Sequence, residues 1–266
     1  MKISDIEDKH NLVISLSGGK DSTAMLLMLL EKGYSKNIHS IVFFDSGWDF
    51  PDMLLHIHKL QKYIERDIVI LRPELSFNYW MYERPIMAKK GHLKNTIHRI
   101  GNGWPSYSRR WCTRIKVNTI QKYISNISDA VSMIGYASDE KHRVKITQNN
   151  SKGKKCFPLI DWNITEQQAL EYCYNKGFNW NGLYNHFKRV SCFCCPLQRK
   201  SELKILRRYY PDLWHKMLEM DSKIPGHNRG FRGYQSVHEL ERCFLEQDRQ
   251  LLFLGEGEWG LFLARR

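Results

Sequence analysis

The stretch that decides the fold is residues 12–22, which read LVISLSGGKDS. The first five residues have the apolar, β-branched character of a buried strand, and a strongly apolar helical pattern begins at Ser22. A loop between a strand and a helix directs several backbone N–H groups toward one point, and that geometry binds phosphate. The sequence therefore predicts an α/β fold with a phosphate-binding loop at residues 17–22.

The side chains of this loop suit a nucleotide bound with magnesium. The loop residues are Ser17, Gly18, Gly19, Lys20, Asp21 and Ser22. The two glycines let the backbone approach an anion, the two hydroxyls can donate to it, the lysine adds positive charge, and the aspartate can hold Mg²⁺. The spacing differs from G-x-x-x-x-G-K-[ST], which argues against an ordinary kinase or GTPase. A plain Gly-Gly turn would explain the glycines alone.

Further strands and helices alternate with this unit. The pattern predicts strands at 12–16, 38–44, 68–71 and 130–135, and helices at 22–32, after Pro51 and at 113–124. Apolar strands that alternate with helices are typical of parallel sheets covered on both faces. We therefore predict a doubly wound, mainly parallel sheet.

The sequence changes character after residue 160. Residues 148–155 are rich in Lys, Asn, Gly and Ser and predict a loop or hairpin tip. Helical patterns follow from Thr165, where Gln168 completes a capping box, and at 200–209, 212–220 and 235–254. We predict two domains: a nucleotide-binding α/β domain at 1–160 and a smaller, mainly helical domain at 161–266 that carries the Cys192–Cys195 cluster.

The composition narrows the range of partners and compartments. The 266 residues can bury a core without disulfides, and 41 Lys and Arg against 28 Asp and Glu give a formal charge of +13. This excess favours anionic partners such as nucleotides or nucleic acid, although a merely basic protein is the simpler reading. The longest apolar run, residues 24–30, is too short to cross a bilayer, so no membrane partner and a cytoplasmic location are expected.

Four of the seven cysteines form a candidate metal site. Cys192 and Cys195 have the two-residue spacing that lets two thiolates bind one metal centre, and Cys194 lies between them. Cys112 is flanked by arginines, which favour a thiolate, and it is the best distant partner. A metal or cluster is one interpretation, and separate structural or redox thiols are the other. Sequence alone does not decide between zinc and iron.

Other residues have simpler readings. Cys156 and Cys173 are expected to be ordinary buried thiols, in a strand and on a helix face. His56 and His58 have a spacing that does not suit a shared metal on a helix, so surface or packing roles are expected.

Three aromatic residues between Arg99 and Arg114 are ambiguous. Trp104, Tyr107 and Trp111 would suit stacking on single-stranded nucleic acid. A partly buried loop that shields the nucleotide explains them equally well.

The loop string is the signature of the PP-loop ATP pyrophosphatase superfamily, and its Lys variant resembles the phosphoadenosine phosphosulfate reductase branch. The resemblance continues through segments that match motifs of that family. These segments are 43–51, 109–116, 134–143, 157–162, 182–184 and 189–196. The resemblance implies an adenine nucleotide alpha hydrolase-like fold in which Asp45 and Gly135 lie beside the nucleotide and Arg143 approaches its phosphates.

The resemblance also bears on the cysteines. Members of the branch that carry such cysteines hold a 4Fe-4S cluster, which implies Cys112, Cys192 and Cys195 as ligands and Cys194 as a fourth. Three ligands would leave one iron open to bind sulfur, and four would close the site. Zn²⁺ is the alternative metal.

One difference from the true reductases directs the functional prediction. Those enzymes resemble one another in a C-terminal Glu-Cys-Gly tail, whereas residues 255–262 contain no cysteine. We therefore expect an ATP-dependent enzyme that adenylates a substrate oxygen, expels pyrophosphate and lets sulfur displace AMP, with Lys20, Asp21 and Arg143 as catalytic residues. The expected acceptor is a nucleic acid, either a tRNA base or DNA of the phosphorothioate type, with a sulfur-donor protein such as a cysteine desulfurase.

Two alternatives stay open. The chain could reduce phosphoadenosine phosphosulfate or adenosine phosphosulfate, or it could be a nucleotide-binding or redox-sensing module without turnover.

Overall fold

The computed structural model describes residues 1–150, 153–225 and 230–254. The chain forms two compact units, and each is built from two segments. The first unit contains residues 1–77 and 111–193, and the second contains residues 78–110 and 194–266.

The first unit is built around a five-stranded sheet in which all described strand pairs are parallel. Its strands are β1 (Asn11–Leu16), β2 (Ile38–Phe44), β3 (Ile68–Leu71), β6 (Ala130–Ile134) and β7 (Lys154–Cys156), and their order is β3-β2-β1-β6-β7. The predicted parallel α/β sheet is thereby confirmed. Its central strand, β1, is almost wholly buried, as expected for a strand covered by helices on both faces.

Helices connect these strands and cover them. The helices of the first unit are α1 (Lys20–Glu31), α2 (Pro51–Ile64), α3 (Trp111–Ile124), α4 (His142–Asn150), α5 (Pro158–Asp161), α6 (Glu166–Asn175) and α7 (Leu183–His186). The predicted capping box opens α6, because the Thr165 hydroxyl accepts from the Gln168 N–H and the Gln168 side chain reaches back to residue 165. Helix α6 lies against α1, where the Cys173 thiol is 3.4 Å from the Lys20 carbonyl oxygen.

The strand order creates a switch point beside β1. The chain adds β2 and β3 on one side of β1 and then returns to add β6 and β7 on the other. In open α/β sheets, ligands bind in the crevice outside the carboxyl ends of the strands at such a switch point. The loop at residues 17–22 leaves the carboxyl end of β1 and therefore lies at that position.

The second unit combines a hairpin with helices. Its elements are β4 (Pro85–Met87), β5 (Ile97–Ile100), α8 (Lys200–Tyr209), α9 (Pro211–Ser222) and α10 (Val237–Leu254). Trp104 is buried here, and its indole N–H donates to Asp221 at 2.7 Å. The Trp214 indole donates to Glu241 at 2.6 Å. These bonds satisfy the polar edges of large apolar side chains inside the unit.

Several predicted elements are confirmed and several were missed. The strands at 38–44 and 68–71 and the helix at 200–209 have the predicted bounds. The sequence did not predict β4, β5, β7 or α4. The predicted loop at 148–155 is wrong at both ends, because α4 continues through residue 150 and β7 begins at Lys154. The expected domain boundary near residue 161 falls inside the first compact unit.

Among the described helices, none is both long and apolar enough to span a bilayer.

A buried histidine joins α1 to α2. His56 is 4% exposed, its Nε2 lies 2.9 Å from the Thr23 hydroxyl, and its ring packs 4.5 Å from that of Trp180. Burial lowers the pKa of His56 to about 3. The predicted packing role is confirmed for His56, whereas His58 is exposed.

We predict that His56 makes the protein less stable in mild acid. In the unfolded chain, His56 takes up a proton as the pH falls below its ordinary pKa of 6.5. In the folded chain it does so only near pH 3, so the folded state loses stability as the pH falls between these two values. Between pH 7 and pH 5 the wild type should lose about 2 kcal/mol more unfolding free energy than His56→Gln. Urea unfolding at both pH values measures this difference. The exposed neighbour variant His58→Gln should behave like the wild type, and equal losses in all three proteins would contradict the assignment.

Candidate nucleotide-binding site

The backbone of the loop requires glycine at position 18. Gly18 has a φ of +79°, in the left-handed region that other residues rarely adopt. A Cβ there would lie 2.9 Å from the Met53 side chain and 3.3 Å from Phe43. The Gly18 carbonyl also accepts a hydrogen bond from the Trp180 indole at 2.8 Å. Side-chain packing against Gly18 and the hydrogen bond to its carbonyl therefore both hold the turn between β1 and α1.

Two hydroxyl groups close the loop. The Ser17 and Ser22 Oγ atoms are 2.9 Å apart, and the Ser17 N–H donates to the Ser22 Oγ at 3.1 Å. The Ser22 hydroxyl in turn donates to the Gly19 carbonyl at 3.1 Å. The loop thus holds its own backbone in place, and both hydroxyls stand at the first turn of α1, where an anion is favoured by the helix N-terminus.

The Lys20 ammonium group is buried between two carboxylates. Lys20 is 6% exposed, and its Nζ lies 3.0 Å from oxygens of both Asp21 and Glu166. A buried charge is tolerated only when it is paired, so these carboxylates balance the lysine. Because an ammonium group has three N–H donors, Lys20 can keep both carboxylates and still donate to a phosphate.

Asp21 is the carboxylate whose titration is most altered in this site. Burial raises the pKa of Asp21 to about 6, with added repulsion from Glu166 and Glu140, while Lys20 opposes the shift. For Glu166, burial also favours the neutral acid, but the hydrogen bond and charge of Lys20 prevail and leave its pKa lowered. At neutral pH both carboxylates carry charge, and a divalent cation beside Asp21 would relieve its burial cost.

Tyr184 was not predicted as a site residue. Its hydroxyl accepts the Lys20 backbone N–H at 2.8 Å, and a Cβ on Gly19 would lie 3.1 Å from that oxygen. Burial raises the pKa of Tyr184, so the group remains a neutral phenol. The sequence motif Gly182-Leu183-Tyr184 pointed to this stretch but did not show that the phenol would cap the phosphate loop.

Gly135 packs against the loop from the neighbouring strand. It follows β6, and a Cβ at this position would lie 2.8 Å from the Ser22 Cα and 3.0 Å from the Asp21 carbonyl oxygen. The residue therefore lets the end of β6 approach the first turn of α1. The neighbours of Gly135 here are backbone atoms of the protein, and its expected place beside a nucleotide stays a prediction.

One buried carboxylate holds two arginines. Glu140 is 4% exposed, and both of its oxygens accept from Arg143 Nη1, at 2.7 and 2.8 Å. Arg189 also pairs with Glu140. The Arg143 guanidinium lies over the Tyr136 ring, 4.1 Å from its centroid. The structure thus fixes the orientation of Arg143 and adds Arg189, for which the sequence motif at 189–196 was the only signal.

Asp45 occupies the corresponding place after β2. It is 7% exposed, accepts from Arg72 Nε at 3.0 Å, and accepts from the Gly47 N–H at 2.9 Å. Strands β2, β1 and β6 are adjacent and parallel, so Asp45, the phosphate loop and Gly135 all lie at one edge of the sheet. This is the edge at which doubly wound folds bind nucleotides.

The four candidate metal ligands are divided between the two compact units. Cys112, in the first turn of α3, and Cys192 belong to the first unit, whereas Cys194 and Cys195 belong to the second. The Cys192 backbone pairs with Asp49, and its Sγ lies 3.8 Å from the Ser46 hydroxyl. Cys192 therefore lies beside the loop that follows β2.

The arrangement of these thiols was compared with the needs of a metal. Thiolates suit iron-sulfur clusters and zinc. Among the described residues, however, no three or more His, Cys, Asp or Glu side chains are grouped so as to hold a metal ion. No chemical step is therefore assigned to a metal. The ligand set Cys112, Cys192, Cys194 and Cys195 stays a prediction.

Two further cysteines behave as expected. Cys156 lies in β7 and Cys173 in α6, and both are buried. Burial raises the pKa of Cys156 to about 12 and also raises that of Cys173, so both are thiols at neutral pH.

The structure separates the three aromatic residues between Arg99 and Arg114. Trp104 and Trp111 are 2% and 7% exposed, whereas Tyr107 is 79% exposed. Trp111 packs in the first unit against Trp48 and Phe77. Of the three, Tyr107 alone presents an open ring to solvent.

The fold and the site define a nucleotide-binding α/β protein with a phosphate loop at the switch point of its sheet. The chain matches the family described as phosphoadenosine phosphosulfate reductase domain over residues 11–198. It belongs to that family, and the branch inferred from the loop string is confirmed.

Two relatives extend the comparison. Uncharacterized proteins of Methanocaldococcus jannaschii are 28% and 26% identical over 218 and 216 residues, which are 78% and 77% of this chain. The matches span 41% and 46% of the relatives. The chain thus spans less than half the length of the curated relatives it matches.

Two solved structures are similar to part of the chain. A phosphoadenylyl-sulfate reductase from Candida auris, in a phosphate complex, is 17% identical with a TM-score of 0.47, and the match covers 71% of this chain and 83% of that one. A U34-tRNA thiolase, NcsA, from Methanococcus maripaludis with its 4Fe-4S cluster is 17% identical with a TM-score of 0.43, covering 80% and 75%. Likeness at this level does not identify a substrate.

We predict that Gly135→Ala disrupts the site by steric contact. The added methyl group would push β6 away from Ser22, which should cost about 1–3 kcal/mol of stability and weaken binding of a magnesium complex of a non-hydrolysable ATP analogue about tenfold or more. Calorimetric titration and urea unfolding measure the two effects.

Gly33→Ala is the matched control. Gly33 has a φ of +86° but no neighbour within 4 Å, so this variant should lose about 1–2 kcal/mol of stability and keep its affinity. A folded Gly135→Ala protein with unchanged nucleotide affinity would contradict the prediction.

Proposed function

We propose that this protein is an ATP-dependent, sulfur-handling enzyme that adenylates an oxygen atom of a nucleic acid and releases pyrophosphate. Family membership supports a nucleotide-using function connected with sulfur. The observation that carries the finer proposal is the buried pairing of Lys20 with Asp21 and Glu166 at the phosphate loop.

That pairing favours a magnesium-bound nucleotide over a bare anion. A bare phosphate would bring further negative charge beside Asp21 and Glu166, and the single ammonium group of Lys20 would have to balance all of it. A magnesium ion that arrives with the phosphates can occupy the position next to Asp21, whose pKa is raised to about 6 mainly by burial. Mg²⁺ is commonly held by one or two carboxylates together with substrate phosphates, so Asp21 does not need a full protein ligand set.

The first step transfers the adenylyl group. The acceptor oxygen attacks the α-phosphorus, a bond forms between them, and the bond from this phosphorus to the bridging oxygen of the β-phosphate breaks. The leaving pyrophosphate takes the electron pair, and Lys20, the loop N–H groups and the hydroxyls of Ser17 and Ser22 stabilise its charge. Arg143 is held by Glu140 to meet the phosphates.

The second step introduces sulfur. A sulfur nucleophile carried by a donor protein, such as a cysteine desulfurase, attacks the atom that bears the adenylated oxygen. The new bond to sulfur forms, the bond to oxygen breaks, and AMP leaves with the electron pair. If the donor carries the sulfur as a persulfide, a second thiol then attacks the donor's own sulfur, a disulfide forms, and the S–S bond breaks to leave the transferred sulfur on the acceptor. The position of Cys192 beside the loop after β2 supports sulfur chemistry near the nucleotide.

We expect AMP and pyrophosphate to form from ATP and Mg²⁺ in the presence of tRNA or DNA. Lys20→Gln should lower the rate at least about 100-fold, because a preorganised group that stabilises transition-state charge is removed. Radiolabelled ATP and chromatography measure both products. Lys36→Gln, which neutralises an exposed lysine of the same unit, is the control and should retain the wild-type rate.

The failure of this reaction points to one of two other functions. The family match favours a second candidate, reduction of phosphoadenosine phosphosulfate or adenosine phosphosulfate, which would release sulfite with thioredoxin as the reductant. Tight nucleotide binding with neither AMP nor sulfite formed would instead indicate a binding or sensing module. Nucleic acid thiolation is abandoned if sulfite is the only product.

The cysteine prediction has its own test. If the four cysteines bind a 4Fe-4S cluster, protein purified without oxygen should be brown and contain about four irons per chain. Cys192→Ala and Cys195→Ala should lose the iron, while Cys156→Ala, which removes a buried thiol of β7, should keep it. Optical spectra with iron, sulfide and zinc analysis decide the matter. Stoichiometric zinc without iron would make the site structural, and no metal at all would overturn the ligand set.

A further inference from the structure

The positive charge of the chain is concentrated in one segment. Residues 84–128 contain ten Lys and Arg and no Asp or Glu, so this segment carries +10 of the formal charge of +13. All 28 Asp and Glu lie in other parts of the chain, where they are interspersed with the basic residues. The part of this segment that belongs to the second unit is residues 84–110.

The charged residues of this part lie on an exposed hairpin. Strands β4 and β5 pair through Ile86 and Arg99, and the connection 88–96 carries Lys89, Lys90 and Lys94 in exposed positions. None of these three lysines forms an ion pair with a carboxylate of the described residues. Their positive charges therefore face solvent without neutralisation by nearby protein groups.

Backbone hydrogen bonds hold the hairpin in place within its unit. The Gly101 N–H donates to the Arg84 carbonyl at 2.8 Å, and the Gly103 N–H donates to the Met81 carbonyl at 3.0 Å. A Cβ on Gly101 would lie 2.3 Å from the same Met81 oxygen, so only glycine allows this approach. The connection is also tied across its base, where the Ala88 N–H donates to the Thr96 carbonyl at 2.9 Å.

An exposed tyrosine and a half-buried tryptophan lie in the same unit as these lysines, and each has an arginine over its ring. Tyr107 is 79% exposed, and the Arg110 guanidinium lies 4.6 Å from the centroid of its ring. The Arg84 guanidinium lies 4.2 Å from the centroid of Trp80. Bases of unpaired nucleotides stack on such rings and guanidinium planes, whereas paired bases inside a duplex are not available to them.

We propose that the basic hairpin, defined as residues 84–100 with Tyr107 and Arg110, binds a single-stranded segment of RNA. The lysines of the connection would contact the phosphates, and Tyr107 would stack on an unpaired base. RNA is preferred as the occupant because unpaired loops are an ordinary feature of folded RNA. The inference rests on the proposed function only in taking a nucleic acid as the acceptor.

The test measures binding by the full chain without ATP, so its outcome does not depend on adenylation. A labelled single-stranded RNA of mixed sequence is titrated by fluorescence anisotropy at several salt concentrations. The triple variant Lys89→Gln, Lys90→Gln and Lys94→Gln should bind about tenfold more weakly and reduce the salt slope by about 2. Thermal melting of each variant checks that it is folded.

Two sets of controls separate charge from stacking. Tyr107→Ala should weaken binding about fivefold or more without changing the salt slope, and Tyr107→Phe, which keeps the ring, should bind like the wild type. The charge-matched variant Lys2→Gln, Lys36→Gln and Lys62→Gln removes three exposed lysines of the first unit and should bind nearly as well as the wild type.

Three results would overturn the proposal. Equal losses in the two triple variants would mean that net charge alone attracts RNA. Equal affinity for an RNA duplex, with no effect of Tyr107→Ala, would remove the single-stranded specificity. Tighter binding to single-stranded DNA than to RNA of the same sequence would make DNA the occupant.

Loss of adenylation with intact RNA binding would contradict the proposed function and leave the assignment of the basic hairpin unchanged.

Discussion

The structure of the candidate site depends on one buried ammonium group. Lys20 stands at the first position of α1, and the carboxylates that balance it come from Asp21 beside it and from Glu166 at the start of α6. Because a buried charge must be paired, this requirement ties α6 to the end of β1. The Tyr184 hydroxyl on the Lys20 N–H and the Trp180 indole on the Gly18 carbonyl hold the later part of the unit to the same loop. The phosphate loop is therefore a junction of segments that lie far apart in the sequence.

The parts of the fold that follow from local pattern could be read from the sequence. β3 is a continuous apolar run, β2 ends in one at residues 41–44, and the capping box before α6 is a short-range signal, so all three were predictable. β7 could not be predicted, because two of its three residues are lysines. Among the described strands it forms hydrogen bonds with β6, which lies far from it in the sequence. β4 and β5 were missed for a related reason: exposed, basic hairpins lack the alternation of a half-buried strand.

In the candidate site, too, local motifs could be read from the sequence and contacts between distant segments could not. The loop residues 17–22 and Asp45 were predictable because their motifs are contiguous and the ends of parallel strands share one edge of a sheet. Glu140, Glu166 and Tyr184 were not assigned roles, because their contacts depend on packing between distant segments. Gly135 was expected beside a nucleotide, whereas the structure shows that it lets the end of β6 approach the backbone of α1, and no pattern in a single sequence reports that approach.

The pairing of Lys20 has a consequence for ligand discrimination. An inorganic phosphate or sulfate ion beside Lys20 would add negative charge to that of Asp21 and Glu166 and would bring no positive charge with it. A divalent ion that accompanied the phosphates of a nucleotide would supply the missing positive charge. A loop of this kind would therefore discriminate against small bare anions, because each of them would leave buried negative charge uncompensated.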